Sequence, residues 1–201
     1  MIALVRSELY RMATIRSSWA SIVLFGALAA SFGVLSADWW ALFAGIGAFG
    51  IAVFTVTQPY QHRTAALLYL ARPKRFPVLL AQVVTTVAVA WAFTAITGIP
   101  ALLKDGNGAT YGHTLTVVPI MAVFGAATAA IVRRSSWLLY GFAVWFVLVE
   151  GMVGKMKWPL PISSYIDAAA GDPYGLEVFL VWAVAAVAGA TLALRRDLAA
   201  D

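Results

Sequence analysis

Residues 39–76 read WWALFAGIGAFGIAVFTVTQPYQHRTAALLYLARPKRF. The first half, Trp39 to Thr57, has no charged side chain and matches the roughly 20 residues of helix that cross a bilayer core. The second half, Gln58 to Phe76, carries Arg63, Arg72, Lys74 and Arg75. This unit, an apolar run bounded by a basic connection, recurs along the chain. Further runs lie near Trp19 to Leu35, Pro77 to Ile99, Thr114 to Val132, Trp137 to Val153 and Leu176 to Leu194. Only 11% of residues are charged and 62% are hydrophobic, whereas ordinary globular domains carry about 25% charged residues. The expected fold is an all-α integral membrane protein, with residues 1–201 forming a single transmembrane domain of six spans.

None of the six runs contains a lysine or arginine, a charge that costs roughly 2.5–3.5 kcal/mol at mid-helix. Arg6, Arg11 and Arg16 precede the first run and the four basic residues above follow the second. Arg133 and Arg134 follow the fourth, and Arg195 and Arg196 the sixth. The opposite connections hold only Lys104, Lys155 and Lys157. The positive-inside rule then places both termini in the cytoplasm and the chain in the cytoplasmic membrane. Trp19, Trp39, Trp40, Trp137 and Trp158 fall at run ends, where amphipathic rings favour the headgroup region. Trp91, Trp145 and Trp182 fall inside runs and indicate packing. The sequence pI near 9.7 follows from this topology, since a nucleic-acid binder would gather its basic groups on one face.

Several chemistries find no foothold in the sequence. The first 37 residues imitate a secretory signal, but the stretch before the apolar core is long for one, so a retained helix followed by the first span is expected. There is no cysteine, hence no thiolate metal site or thiol nucleophile. His62 and His113 belong to connections on opposite sides. Gly45, Gly47 and Gly50 have dinucleotide-fingerprint spacing but lie inside an apolar run, where small residues let helices approach closely. Gly26, Gly98, Gly125, Gly141 and Gly189 are expected to do the same. No Walker-type phosphate loop is present, so any ATP and Mg belong to another polypeptide. Asp38, Asp105, Asp167, Asp172 and Glu177 lie in or beside outward connections. Glu150 alone is a carboxylate inside a span, and intramembrane carboxylates are functional candidates. It is open to a substrate-path role or to an interfacial, helix-pairing one. A membrane-embedded enzyme would need clustered polar groups, and Glu150, Thr55, Thr57 and Thr94 do not assemble into a catalytic set.

Two segments outside the spans have helical patterning. In residues 1–18, Ile2, Val5, Leu9 and Met12 recur at three- and four-residue spacing while Ser7, Arg11 and Thr14 point away. Such a helix would lie in the membrane surface with its arginines at lipid headgroups. The connection from Gln58 to Phe76 is longer than the about 12–15 residues beyond which loops are usually functional. Thr64 is a candidate N-cap, Ala65 to Ala71 form an apolar turn and Pro73 stops it. The outer segment Gly154 to Tyr174 contains Pro159, Pro161 and Pro173, which break helices, and reads as a re-entrant lid or as a surface loop.

The stretch Tyr60, His62, Thr64, Leu67, Leu68, Pro73 and Arg75, followed by Leu79, Leu80, Ala81 and Gln82, resembles the first cytosolic loop of type 2 ABC exporter permeases. The layout of amphipathic helix, six spans and partly re-entrant fifth-to-sixth connection is similar to theirs over nearly the whole chain. The motif itself covers about two dozen residues, with departures at Pro59, Gln61, Arg63 and Gln82. The resemblance implies that Thr64 to Leu70 is a cytosolic coupling helix seated on an ATP-binding cassette subunit, with Tyr60, His62, Arg63, Thr64, Leu67, Leu68, Pro73 and Arg75 at the docking surface. It also implies a second permease copy, in a homodimer or related heterodimer, and a non-catalytic role in moving a hydrophobic or amphipathic substrate. A self-contained secondary transporter or channel is the alternative, weakened by the lack of buried charge pairs or an internal repeat.

Overall fold

Apolar helices packed around α3 (Ala37–Gln61) bury it at the centre of a bundle, with 78% of its most apolar stretch inside. The computed structural model describes residues 2–61, 75–105 and 108–199, which are all-helical apart from short connections. Around α3 stand α2 (Arg16–Gly33), α4 (Arg75–Thr97) and α6 (Gly108–Val132), preceded by α1 (Ile2–Thr14) and with α5 (Ile99–Asp105) extending α4. The chain continues through α7 (Ser135–Val144), a π-helical segment (Trp145–Val153), α8 (Pro161–Ala170) and α9 (Pro173–Ala199). Among the described residues five helices are long and apolar enough to cross a bilayer, and α1 with α2, bent by 78°, makes a sixth if the pair is one span.

Glycines set the helix separations. A side chain at Gly45 would strike the Tyr165 ring, one at Gly47 the Phe93 ring and one at Gly50 the Phe25 ring. These glycines pack helices, as their place in the span implies. Gly141 differs from that expectation: nothing lies within 4 Å of its side-chain position, because α7 sits at the periphery. Threonines inside the bundle spend their hydroxyls locally. Thr57, Thr86 and Thr94 each bond the carbonyl four residues back at 2.7–2.9 Å, which hides a polar group in an apolar medium.

Three sequence expectations change. Trp40 is fully buried rather than interfacial: its ring stacks on Tyr111 at 5.3 Å, donates to Thr97 Oγ1 and occupies the space that Gly98 leaves. The connection expected between Ile99 and Thr114 is mostly helix, so His113 lies in α6 and not in a loop. Pro100 falls in the first turn of α5, where its missing N–H costs nothing. Lys104 then donates to the Val34 and Leu35 carbonyls at 2.6 Å each and closes the end of α2. Finally, α1 turns Arg11 and Glu8 into the bundle instead of towards headgroups.

Gly98→Ala and Gly141→Ala test this packing. The first should lower stability by about 1–3 kcal/mol through overpacking against Trp40, and the second should leave it unchanged or slightly raised, as read by thermal unfolding in detergent.

Candidate functional site

The Glu150 carboxylate is the centre of the polar chemistry inside the bundle. Its side chain is fully buried and accepts four hydrogen bonds. Trp145 Nε1 donates to Oε1 at 2.9 Å and the Ile162 amide at 3.1 Å. The Ser163 amide and hydroxyl donate to Oε2 at 2.6 and 2.7 Å. All four partners are donors, the complement of an acceptor-only carboxylate. Ile162 and Ser163 are in the first turn of α8, whose amides have no helical partner of their own. Glu150 therefore caps α8 from another segment, at the positive end of that helix.

The π-helical turn makes this geometry possible. Trp145 and Glu150 are five residues apart, a spacing that falls on different sides of an α-helix with its 3.6 residues per turn but on one side of the wider i→i+5 helix. The chain then reverses at Gly154 to Met156, where Lys155 and Met156 take left-handed φ values of 48° and 56°. The Met156 amide returns to the Glu150 carbonyl at 2.8 Å. Such backbone is strained and persists where surroundings hold it.

Beyond the reversal, α8 is packed into the bundle. Ile162, Ser163, Ser164, Tyr165, Ala168 and Ala169 are buried, and the Tyr165 hydroxyl donates to the Ala41 carbonyl of α3 at 2.8 Å. Trp182, nine residues into α9, donates to the Pro159 carbonyl at 3.0 Å. Nine residues of helix span about 14 Å, so the connection reaches well past the N-terminal end of α9. Within residues 154–174 only α8 buries a face in the bundle, while Lys155, Lys157, Trp158, Pro159 and residues 171–174 are exposed. Of the tryptophans inside spans, Trp182 donates to this connection and Trp145 to Glu150. Their place inside a span could have flagged such bonds, since an indole N–H away from water needs an acceptor.

A tight turn joins α8 to α9 through Gly171 and Asp172. Gly171 takes φ +97°, and a side chain there would meet the His113 ring. Asp172 caps α9 by accepting from the Tyr174 and Gly175 amides. Burial, and then the neighbouring Asp172 charge, hold the Asp167 carboxyl above its usual range.

At the other end, Tyr60 lies in the last turn of α3, which ends at Gln61, and Arg75 opens α4. His62, Arg63, Thr64, Leu67, Leu68, Pro73 and the coupling helix lie outside the described residues. Next to that end, Arg11 Nη2 donates to the Thr55 carbonyl at 3.0 Å and pairs with Glu8, which is 4% exposed. The sequence reading missed this pair, although the three-residue spacing of Glu8 and Arg11 signals it. The Thr55 hydroxyl bonds the Ile51 carbonyl and meets Met12 Sδ. Among the described residues no group of three or more His, Cys, Asp or Glu side chains could hold a metal ion. The chain matches no protein-family model and no curated protein.

Glu150→Ala should free the first turn of α8. Loss of a charged acceptor costs about 3 kcal/mol, and hydrogen exchange across residues 161–170 should rise, with Ser163→Ala producing a smaller change of the same kind. Because the Asp167 carboxyl titrates higher in the folded chain, its contribution to stability is present below the unfolded pKa of about 3.9. That contribution is lost as pH rises through the folded value. Asp167→Asn should flatten this part of the thermal-stability profile between acidic and neutral pH.

Proposed function

We propose that the chain is the membrane-spanning subunit of an ATP-driven exporter of the type 2 ABC class, moving a hydrophobic or amphipathic substrate across the cytoplasmic membrane. The observation that carries this reading is the motif Tyr60, His62, Thr64, Leu67, Leu68, Pro73, Arg75 leading into Leu79 to Gln82. The five or six apolar helices and the buried α8 between the fifth and sixth support it.

In this reading both termini are cytoplasmic, α1 lies against the inner membrane surface, and residues 64–70 form a helix gripped by a separate ATP-binding subunit that holds ATP and Mg. Leu67, Leu68 and Tyr60 supply apolar contacts to that subunit, and Arg63, Arg72, Lys74 and Arg75 frame them electrostatically. Closure of two ATPase subunits tilts two permease copies, identical or closely related, between inward and outward states. Glu150 shapes the path between them by holding α8 in place. Arg11 anchors α1 on the Thr55 carbonyl, six residues before α3 ends at Gln61, so a push on the loop reaches α1 through α3.

Copurification with the ATP-binding subunit tests the proposal. Leu67→Asp with Leu68→Asp should weaken the complex by about thirtyfold or more, the scale of losing central apolar anchors, and abolish coupled ATPase activity. Unchanged copurification, or labelling of residues 62–74 from the cell exterior, removes the docking assignment.

A further inference from the structure

Between α6, α7 and α9 lies a cavity of about 400 Å³ that neither the core nor the Glu150 cap uses. Phe124 and Thr128 of α6, Phe142 of α7, Trp145 and Ala186 form its wall, and Pro161 of α8 roofs it. No side-chain donor on that wall is left over. The Thr128 hydroxyl bonds the Phe124 and Gly125 carbonyls, and the Trp145 indole is taken by Glu150. A polar guest would lose its hydrogen bonds with water and find none in return, so the part of a ligand lodged here is hydrocarbon. The flank is open, since Trp145 and Ala185, two of its lining residues, are themselves exposed.

The depth of the cavity matches one leaflet. Thr128 stands four residues before the end of α6 at Val132, about 6 Å along the axis. Trp145 stands ten residues above the start of α7 at Ser135, about 15 Å, which is half of the roughly 30 Å hydrocarbon core. Above that level Pro161 and the rest of α8 close the cavity against a chain arriving from the opposite leaflet. Below it lies the α6–α7 connection, with Arg134 exposed as the N-cap of α7, its own side chain making no cap hydrogen bond. Trp137, 72% exposed, stands one turn further on, where an indole suits the headgroup region.

We infer that this cavity holds one acyl chain of an anionic phospholipid from the leaflet at the basic end of the bundle. The phosphate is met by Arg134 and the amide end of α7, where a helix N-terminus and a guanidinium both favour an anion. The chain runs up between α7 and α9 and ends beneath Pro161. The inference needs only that the helices cross a bilayer and is independent of the exporter reading.

Wild-type protein in vesicles of equal phosphatidylglycerol and phosphatidylcholine, doped with phosphatidylglycerol bearing a diazirine at the end of one chain, tests it by mapping crosslinks after irradiation. Crosslinks should concentrate on Phe142, Trp145 and Ala186; an even spread over the exposed faces of α2, α4 and α9 would overturn the inference. Native mass spectrometry of protein extracted from the same vesicles gives a second readout. Arg134→Gln should lower the preference for phosphatidylglycerol about fivefold, the scale of one surface arginine, and Ala186→Phe should remove the retained lipid. Equal retention of both lipids by wild type, or retention indifferent to a folded Ala186→Phe protein, would sink it. If that variant does not fold, the wild-type crosslink map decides.

Discussion

A helix that begins inside an apolar bundle must find partners for its first amides within the protein, because no water is there to supply them. The N-terminus of α8 is such a place, and the Glu150 carboxylate is its answer. From that one requirement follow the i→i+5 winding that sets Trp145 over Glu150, the left-handed backbone at Lys155 and Met156, and the burial of Tyr165 against α3. Each is costly alone: a wide helix packs less efficiently and a positive φ strains a side chain. Together they place one carboxylate against the α8 amides, and the carboxylate in turn finds the donors that a buried charge needs.

The spans were legible because their signal is additive over about twenty residues. Hydropathy and the exclusion of lysine and arginine do not depend on which helix touches which. All-helical architecture therefore follows from the sequence, and six expected spans meet five apolar helices, or six with the bent α1–α2 pair, whereas features set by a partner far along the chain do not follow. Trp40 looked interfacial because it stands near the start of a run, and only the absence of a side chain at Gly98 draws it inward. Gly141 looked like a contact point because small residues often are, but α7 has no close neighbour there. Glu150 could be singled out as a lone intramembrane carboxylate, while its partners, Ile162 and Ser163, offer backbone amides that no residue type advertises. Prolines at 159 and 161 marked a break correctly, yet Pro161 is also well suited to the first turn of a helix. Only the packing partners decide between a break and a start.

At the basic end, Glu8 and Arg11 form an ion pair largely removed from water. Arg11 Nε has no partner among the described residues, and the Glu8 oxygen that meets Arg11 lacks a well-aligned donor. Desolvation of two charges is repaid only by complete pairing, so this pair adds little to stability. Its value is positional. The bond from Arg11 to the Thr55 carbonyl fixes where α1 meets α3, and an apolar contact of equal area would permit sliding.

The bundle is unevenly held. α3 is mostly enclosed, whereas the segment from Ser135 to Val153 has only 6% of its most apolar stretch inside. A peripheral helix gains little from burial, so its position depends on the few directional bonds it makes. For this segment those bonds sit in its C-terminal half, where Glu150, itself bonded by Trp145, accepts from the α8 amides. Its N-terminal half is held by packing instead, with Phe142 stacked on Phe49 of α3 at 3.8 Å. The molecule thus joins a tightly packed centre to a peripheral helix through two ties, a ring stack at Phe142 and a carboxylate bonded to the amides of another helix.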